Sequence, residues 1–174
     1  MSRRFGRKKQ GGVTLVELMV SVLVMSIGVL GVAALQVVSL QQNRNAIMES
    51  DAIRLANDLI DRILANPGVI YGPVASYASS PTMDKSCVGN ICSENEMASY
   101  DTAQWLCALG STDPTDDSTY ATCSTLGVTG ALPYGTGTVV YDAATRVYAI
   151  SVRWQDDREG NTRDITVNFK RDEI

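Results

Sequence analysis

From Leu18 to Leu40 the chain is almost entirely apolar or small, and that stretch limits what the rest of it can be. A bilayer core is crossed by roughly 20 helical residues, so the run is long enough to span one. Five basic residues, Arg3, Arg4, Arg7, Lys8 and Lys9, crowd the positions ahead of it. Between Lys9 and Arg44 only Glu17 is charged. Cations before a span and none directly after it place the N-terminus in the cytoplasm and the body across the membrane. A secretory signal has a shorter apolar region, about 7–15 residues, followed by a small-residue cleavage site. This run continues past that length without such a break, so it reads as a single-pass anchor.

Glu17 makes the anchor unusual. A carboxylate at the edge of a hydrophobic span costs a few kcal/mol to insert, roughly 2.5–3.5 at mid-span, and is functional by default. The residues around it, Gly12-Val13-Thr14-Leu15-Val16-Glu17, resemble the type IV prepilin cleavage signature: glycine, an apolar residue, Ser or Thr, Leu, an aliphatic residue, then Glu. The resemblance implies that a membrane prepilin peptidase cuts after Gly12 and methylates the new N-terminus at Val13. Val13 stands where Phe or Met is commoner in that family, and cleavage is expected all the same. Glu17 then becomes the fifth residue of the trimmed chain. The resemblance implies that its carboxylate meets the α-amino group of a neighbouring subunit in a filament core. A lone carboxylate among dry helices is costly, and pairing removes much of that cost.

Charge and composition exclude several functions. The chain holds 15 basic and 19 acidic residues, a net −4. Without the five leader cations, ten basic residues face nineteen acidic ones, a net −9. So acidic a body repels phosphate backbones, and no nucleic acid partner is expected. There is no histidine, which removes the usual general base and the commonest zinc ligand. Neither a cofactor nor a metal site is expected. Asp113, Asp116 and Asp117 lack the spacing of an EF-hand and read as a solvated acidic loop. The four cysteines, Cys87, Cys92, Cys107 and Cys123, lie beyond the span; in an oxidising compartment an even count favours disulfides.

Nothing but Gly28 and Gly31 interrupts helical patterning from Val13 to Ala65, about 53 residues or roughly 80 Å of helix. Past the span, Met48, Ala52, Leu55, Ala56, Leu59 and Ile63 form an apolar stripe. Asp58 and Arg62 make an i,i+4 pair, and Asn66-Pro67-Gly68 ends the helix. Val69 to Thr136 reads mostly as loops, with one helix. Ser93-Glu94-Asn95-Glu96 is a capping box for it, and Gly110 follows its last residue, Leu109. That helix would separate Cys92 from Cys107 by roughly 22 Å, whereas a disulfide needs Cα atoms within about 7 Å. Two connectivities remain open, and Cys87–Cys92 with Cys107–Cys123, which closes the shorter loops, is preferred. Strands are expected at Thr138–Tyr141, at Tyr148, Ile150, Val152 and Trp154, and at Ile165, Val167 and Phe169, the last two runs joined by a turn over Asp156–Asn161. Trp105 and Trp154 are expected in the core.

Later segments narrow the resemblance. Ser26 to Gly31, Arg54 to Pro67, the pair Asp101 and Trp105, Leu132-Pro133 with Gly135 and Gly137, and the Tyr148-to-Trp154 strand are similar to PilV-type minor pilins. This resemblance implies an α+β fold of the type IV pilin kind, a long N-terminal helix packed on a C-terminal antiparallel sheet. It divides the chain into a cleaved leader (1–12), a long helix (13–66, span about 18–40) and a globular head (67–174). It implies a low-abundance, non-enzymatic subunit of the tip or priming complex of a type IV pilus, supporting twitching motility and adhesion. Its partners would be the prepilin peptidase, other minor pilins, the major pilin and a tip adhesin. The subunit would sit in the inner membrane before assembly, and in a periplasmic and then cell-surface pilus afterwards. A type II secretion minor pseudopilin of the GspI kind would carry the same N-terminus, and gene neighbours would separate the two. A signal-anchored periplasmic enzyme would need a cluster of catalytic side chains in the head, which the sequence does not offer.

Overall fold

A computed structural model describes residues 12–156 and 160–171. The leader cations from Arg3 to Lys9, and residues 157–159 of the expected Asp156–Asn161 turn, lie outside the described residues. Helix α1 runs Leu15–Ala65 without a break. Thr14 opens it: the Glu17 backbone N–H donates to Thr14 Oγ1 at 3.3 Å, and Leu18 N–H donates to Thr14 O at 3.2 Å. Thr14-x-x-Glu17 thus has the spacing of a capping box, with an acidic residue where the helix dipole favours one. Gly28 and Gly31 lie within the helix, and a Cβ on either would meet nothing within 4 Å. The helix ends just before Asn66-Pro67, as the restriction on residues preceding proline demands.

The chain forms two compact units, Met1–Asn43 and Arg44–Ile174. The described part of the first is the opening of α1, with every residue from 12 to 43 exposed. The second holds the rest of α1, helices α2 (Glu94–Leu109) and α3 (Ala121–Leu126), and strands β1 (Thr136–Asp142), β2 (Val147–Gln155) and β3 (Thr162–Lys170). The strands form one antiparallel sheet in the order β1-β2-β3. Its register pairs Val139 with Ile150 and Ile150 with Val167. Asp142 shapes the β1–β2 turn by accepting from the Ala144 N–H and the Thr145 hydroxyl, at 2.9 and 2.7 Å.

The core of this unit is assembled from the periodicities seen in the sequence. Met48, Ala52, Leu55, Ala56, Leu59 and Ile63 are the buried residues of α1. They join Trp105 and Leu109 of α2 and Tyr148, Ile150, Val152 and Trp154 of β2 in one cluster. The buried indole of Trp105 donates from Nε1 to the Leu55 carbonyl at 2.9 Å, so no donor is stranded there. Gly137 of β1 lies against the same ring, and a side chain there would collide with Trp105 and Leu109. On β3, Ile165, Val167 and Phe169 face inward but stay only half-buried. The opposite face carries Thr162, Asp164, Thr166, Asn168 and Lys170, all exposed.

Two features depart from the expectation of loops between Val69 and Thr136. Helix α3 lies in that stretch; its N-cap, Tyr120, makes no side-chain bond, and Gly127 closes it in the left-handed conformation. An isolated bridge joins Val74 to Val139, with hydrogen bonds of 3.0 Å in each direction. This bridge covers the outer edge of β1. Gly72 leads into it with φ +91°, a conformation costly for any side chain. Strand β1 also begins two residues earlier than its sequence pattern, at Thr136.

Candidate functional site

At the head of α1, Gly12, Val13 and Thr14 are exposed and outside any regular element, and the helix begins directly after them. A Cβ at Gly12 would meet nothing within 4 Å, so no contact inside the chain requires glycine there. Glu17 sits in the first helical turn, exposed. Its backbone N–H is satisfied by Thr14, and no ion pair involving its carboxylate is found among the described residues. Two hydroxyls within the apolar run are satisfied inside the helix. Ser21 Oγ donates to Glu17 O and Ser26 Oγ to Val22 O, each at 2.7 Å. Such bonds to the carbonyl four residues back let serine sit in an apolar medium without an unmet donor. The helix is long and apolar enough to cross a membrane, and its apolar stretch is not buried within the described residues.

A second polar constellation lies in the folded unit. The Arg62 guanidinium reaches Asp58 Oδ2 and Asp101 Oδ1, each at 3.0 Å, and Gln104 Oε1 at 2.6 Å. The Tyr71 hydroxyl donates to Asp101 Oδ2 at 2.7 Å. The Tyr71 N–H donates to the Tyr148 hydroxyl at 3.3 Å, and Asn66 Nδ2 to the Glu94 carbonyl at 2.9 Å. Burial, reinforced by the Asp101 hydrogen bond, raises the Tyr71 hydroxyl well above the ordinary phenol range. These groups fasten the end of α1 to α2 and to the chain that follows α1. The network acts as a clasp. Sequence reasoning found the Asp58–Arg62 pair and singled out Asp101, but missed Tyr71 and Gln104. Arg62 and Asp101 lie on two separately predicted helices, 39 positions apart, so their meeting left no local signal.

The cysteines are joined as Cys87–Cys92 and Cys107–Cys123, with Cα separations of 5.8 and 5.3 Å. The second bridge ties α2 to α3, and both of its cysteines are fully buried. With every thiol oxidised, none can act as a zinc thiolate. The acidic loop carboxylates are each engaged locally. Asp113 Oδ1 accepts from the Thr115 N–H and hydroxyl at 2.8 and 2.6 Å. Asp116 accepts from the Ser118 N–H at 2.9 Å, and these Ser118 interactions hold its carboxyl below the usual range. Asp117 accepts from the Tyr134 hydroxyl.

A long N-terminal helix, apolar in its first half and striped in its second, with the second half packed on a three-stranded antiparallel sheet, is the α+β architecture of the type IV pilin fold. Comparison with known families agrees with this class in two adjoining stretches. Residues 7–33 match the prokaryotic N-terminal methylation motif, and residues 34–103 match the family described as type IV pilin Tt1218. The first stretch contains Gly12, Val13 and Glu17; the second contains the stripe of α1 and the clasp residues Arg62, Tyr71 and Asp101. These matches support a pilin-type role. No curated protein and no solved structure matches the chain.

Proposed function

We propose that the chain is a prepilin of the minor, PilV-like kind: trimmed after Gly12, methylated on Val13 and built through α1 into the tip or priming complex of a type IV pilus. The observation that carries the proposal is the pairing of a methylation motif with a helix whose apolar residues find no cover in their own chain. Leu15, Leu23 and Leu30 are 62–74 % exposed. Each such side chain would gain roughly 1.5–3 kcal/mol on full burial. Lipid supplies that cover before assembly and neighbouring helices supply it afterwards. Glu17 then selects register, because only arrangements that bring an amine to its carboxylate relieve the cost of enclosing it. The prepilin peptidase, other minor pilins, the major pilin and a tip adhesin are the partners this reading names. The Asp101, Trp105 and Tyr148-to-Trp154 positions of the PilV-like pattern support it, since they form the clasp and the core.

Mass spectrometry of the protein recovered from membranes tests processing, and the expected mature N-terminus is N-methylated Val13. Any other N-terminus removes the proposal. Glu17→Ala is expected to leave cleavage intact while abolishing incorporation into sheared pili. Normal piliation in that variant would reject the pairing role.

A further inference from the structure

A cleft of about 540 Å³ opens beside the polar face of the sheet, bounded in part by Tyr77, Pro114, Asp117, Tyr134, Thr136 and Arg153. Its volume lies within the span of small-molecule sites, about 300–1,000 Å³. Arg153 is its most informative wall. On β2 it alternates with buried Val152 and Trp154, and it pairs across the sheet with Thr136 and Asp164. The guanidinium carbon stands 3.8 Å from the centroid of the Tyr77 ring, which holds the planar group in place by a cation–π contact. The Asp164 carboxylate is 3.8 Å from Nη2, too far for a hydrogen bond. Nε is enclosed by protein, with no acceptor among the described residues, so the Nη groups are the part of the guanidinium left to meet a ligand.

Two other walls are held at a conformational cost. Asp117 (φ +58°) and Tyr134 (φ +46°) are both non-glycine residues in the left-handed region. Their side chains are joined by a hydrogen bond from the Tyr134 hydroxyl to the Asp117 carboxylate. Backbone held this way clusters at binding sites, where a surrounding structure fixes side chains that would otherwise wander.

The chemistry of these groups selects a ligand class. A planar guanidinium oriented by Tyr77 suits a carboxylate, which its two Nη groups can meet with two parallel hydrogen bonds. The Tyr134 ring offers an apolar wall, while the Asp117 carboxylate and the Thr136 hydroxyl can bond to hydroxyl groups. The nearby Asp117 charge disfavours a multiply charged phosphate more than a single carboxylate. We infer that the cleft binds a carboxylated sugar of the uronic acid type, with its carboxylate on Arg153 and its ring against Tyr134. This stands whether or not the chain is built into a filament.

The test uses the full-length protein in detergent micelles, with disulfides intact. The probe is an oligosaccharide of alternating glucuronate and N-acetylglucosamine, followed by titration calorimetry. A neutral N-acetylglucosamine oligomer and an oligoglutamate peptide serve as comparators. The probe is expected to bind at least about tenfold more tightly than either. Arg153→Gln is expected to weaken binding by about tenfold or more, and Arg153→Lys, which keeps charge but loses the fork, by less. Tyr134→Gly removes the wall yet relieves the left-handed strain, so it should bind weakly while folding at least as well as the parent. The inference is overturned by absence of probe binding, by equal binding of the neutral oligomer or the peptide, or by unchanged affinity in Arg153→Gln and Tyr134→Gly.

Discussion

The two halves of α1 obey opposite rules. Before Asn43 apolar residues surround the helix on all sides and nothing is buried; after Arg44 apolar residues keep to a stripe, and that stripe is the core. A helix apolar all round is completed by something outside it, whereas a striped one is completed by its own chain. The difference teaches that hydrophobicity alone does not mark a core: Leu59 is fully enclosed and Leu23 is 62 % exposed. What separates them is the polar company around each. Asn57, Asp58, Asp61 and Arg62 flank Leu59, while Leu23 has only Ser21 and Ser26 nearby, each bonded to its own helix.

Removing residues 1–43 should break the comparison most sharply. Among the described residues every buried hydrophobic one lies between Met48 and Trp154, so the remainder is expected to be monodisperse in water without detergent. Its melting temperature should stay within a few degrees of that of the intact protein in detergent; a molten or aggregated product would show that the first half supports the second. Next in size, Trp105→Ala should cost about 3–5 kcal/mol in chemical denaturation, whereas Leu23→Ala should leave the melt of the same unit unmoved. Replacing Cys107 and Cys123 together by serine opens a bridge spanning 16 residues. The expected loss is about 3 kcal/mol, read from urea midpoints at constant slope.

Arg62→Ala should cost about 1–3 kcal/mol, because it strips Asp101 and Gln104 of a charged donor. A double-mutant cycle with Asp101→Ala should return a coupling energy of at least about 0.5 kcal/mol. The smallest effect is confined to alkaline solution. Tyr71 holds its proton more tightly folded than unfolded. Below about pH 10, the ordinary phenol value, both states are protonated and its contribution is complete. Above that the unfolded chain ionises first, and stability drains away as pH rises toward the folded value. Melting temperatures across this window should fall more steeply for the parent than for Tyr71→Phe; parallel curves would refute the assignment.

Much of the fold was legible because it is written in local periods. The stripe of α1, the Ser93 capping box, the Gly110 stop and the alternation of β2 each follow from residues within one or two turns of each other. One helix excluded the pairing of Cys92 with Cys107, and the preference between the two connectivities left came from the shorter loops. Helix α3 was missed because it has only six residues, Ala121–Leu126, a single buried one, Cys123, and no side-chain cap. Its one clue was Gly127. The clasp was half seen: a pair four residues apart leaves a local trace, but Tyr71 meets Asp101 across 30 positions. The cleft left no trace, because Tyr77, Asp117, Tyr134 and Arg153 come together only through the tertiary fold. At the start of α1, the Thr14 cap gives Glu17 an ordinary place in a helix start, compatible with any assembly role.

Strand β3 has a consequence for copies of this protein at high local density. It is the sheet's uncovered margin, the type of ribbon along which folded proteins fuse. Its solvent side sets Asp164 and Lys170 among hydroxyls and an amide, with Arg163 at its start. A foreign strand docking there would have to strip water from those charges. Copies of the folded unit can therefore crowd together without zipping through their sheets.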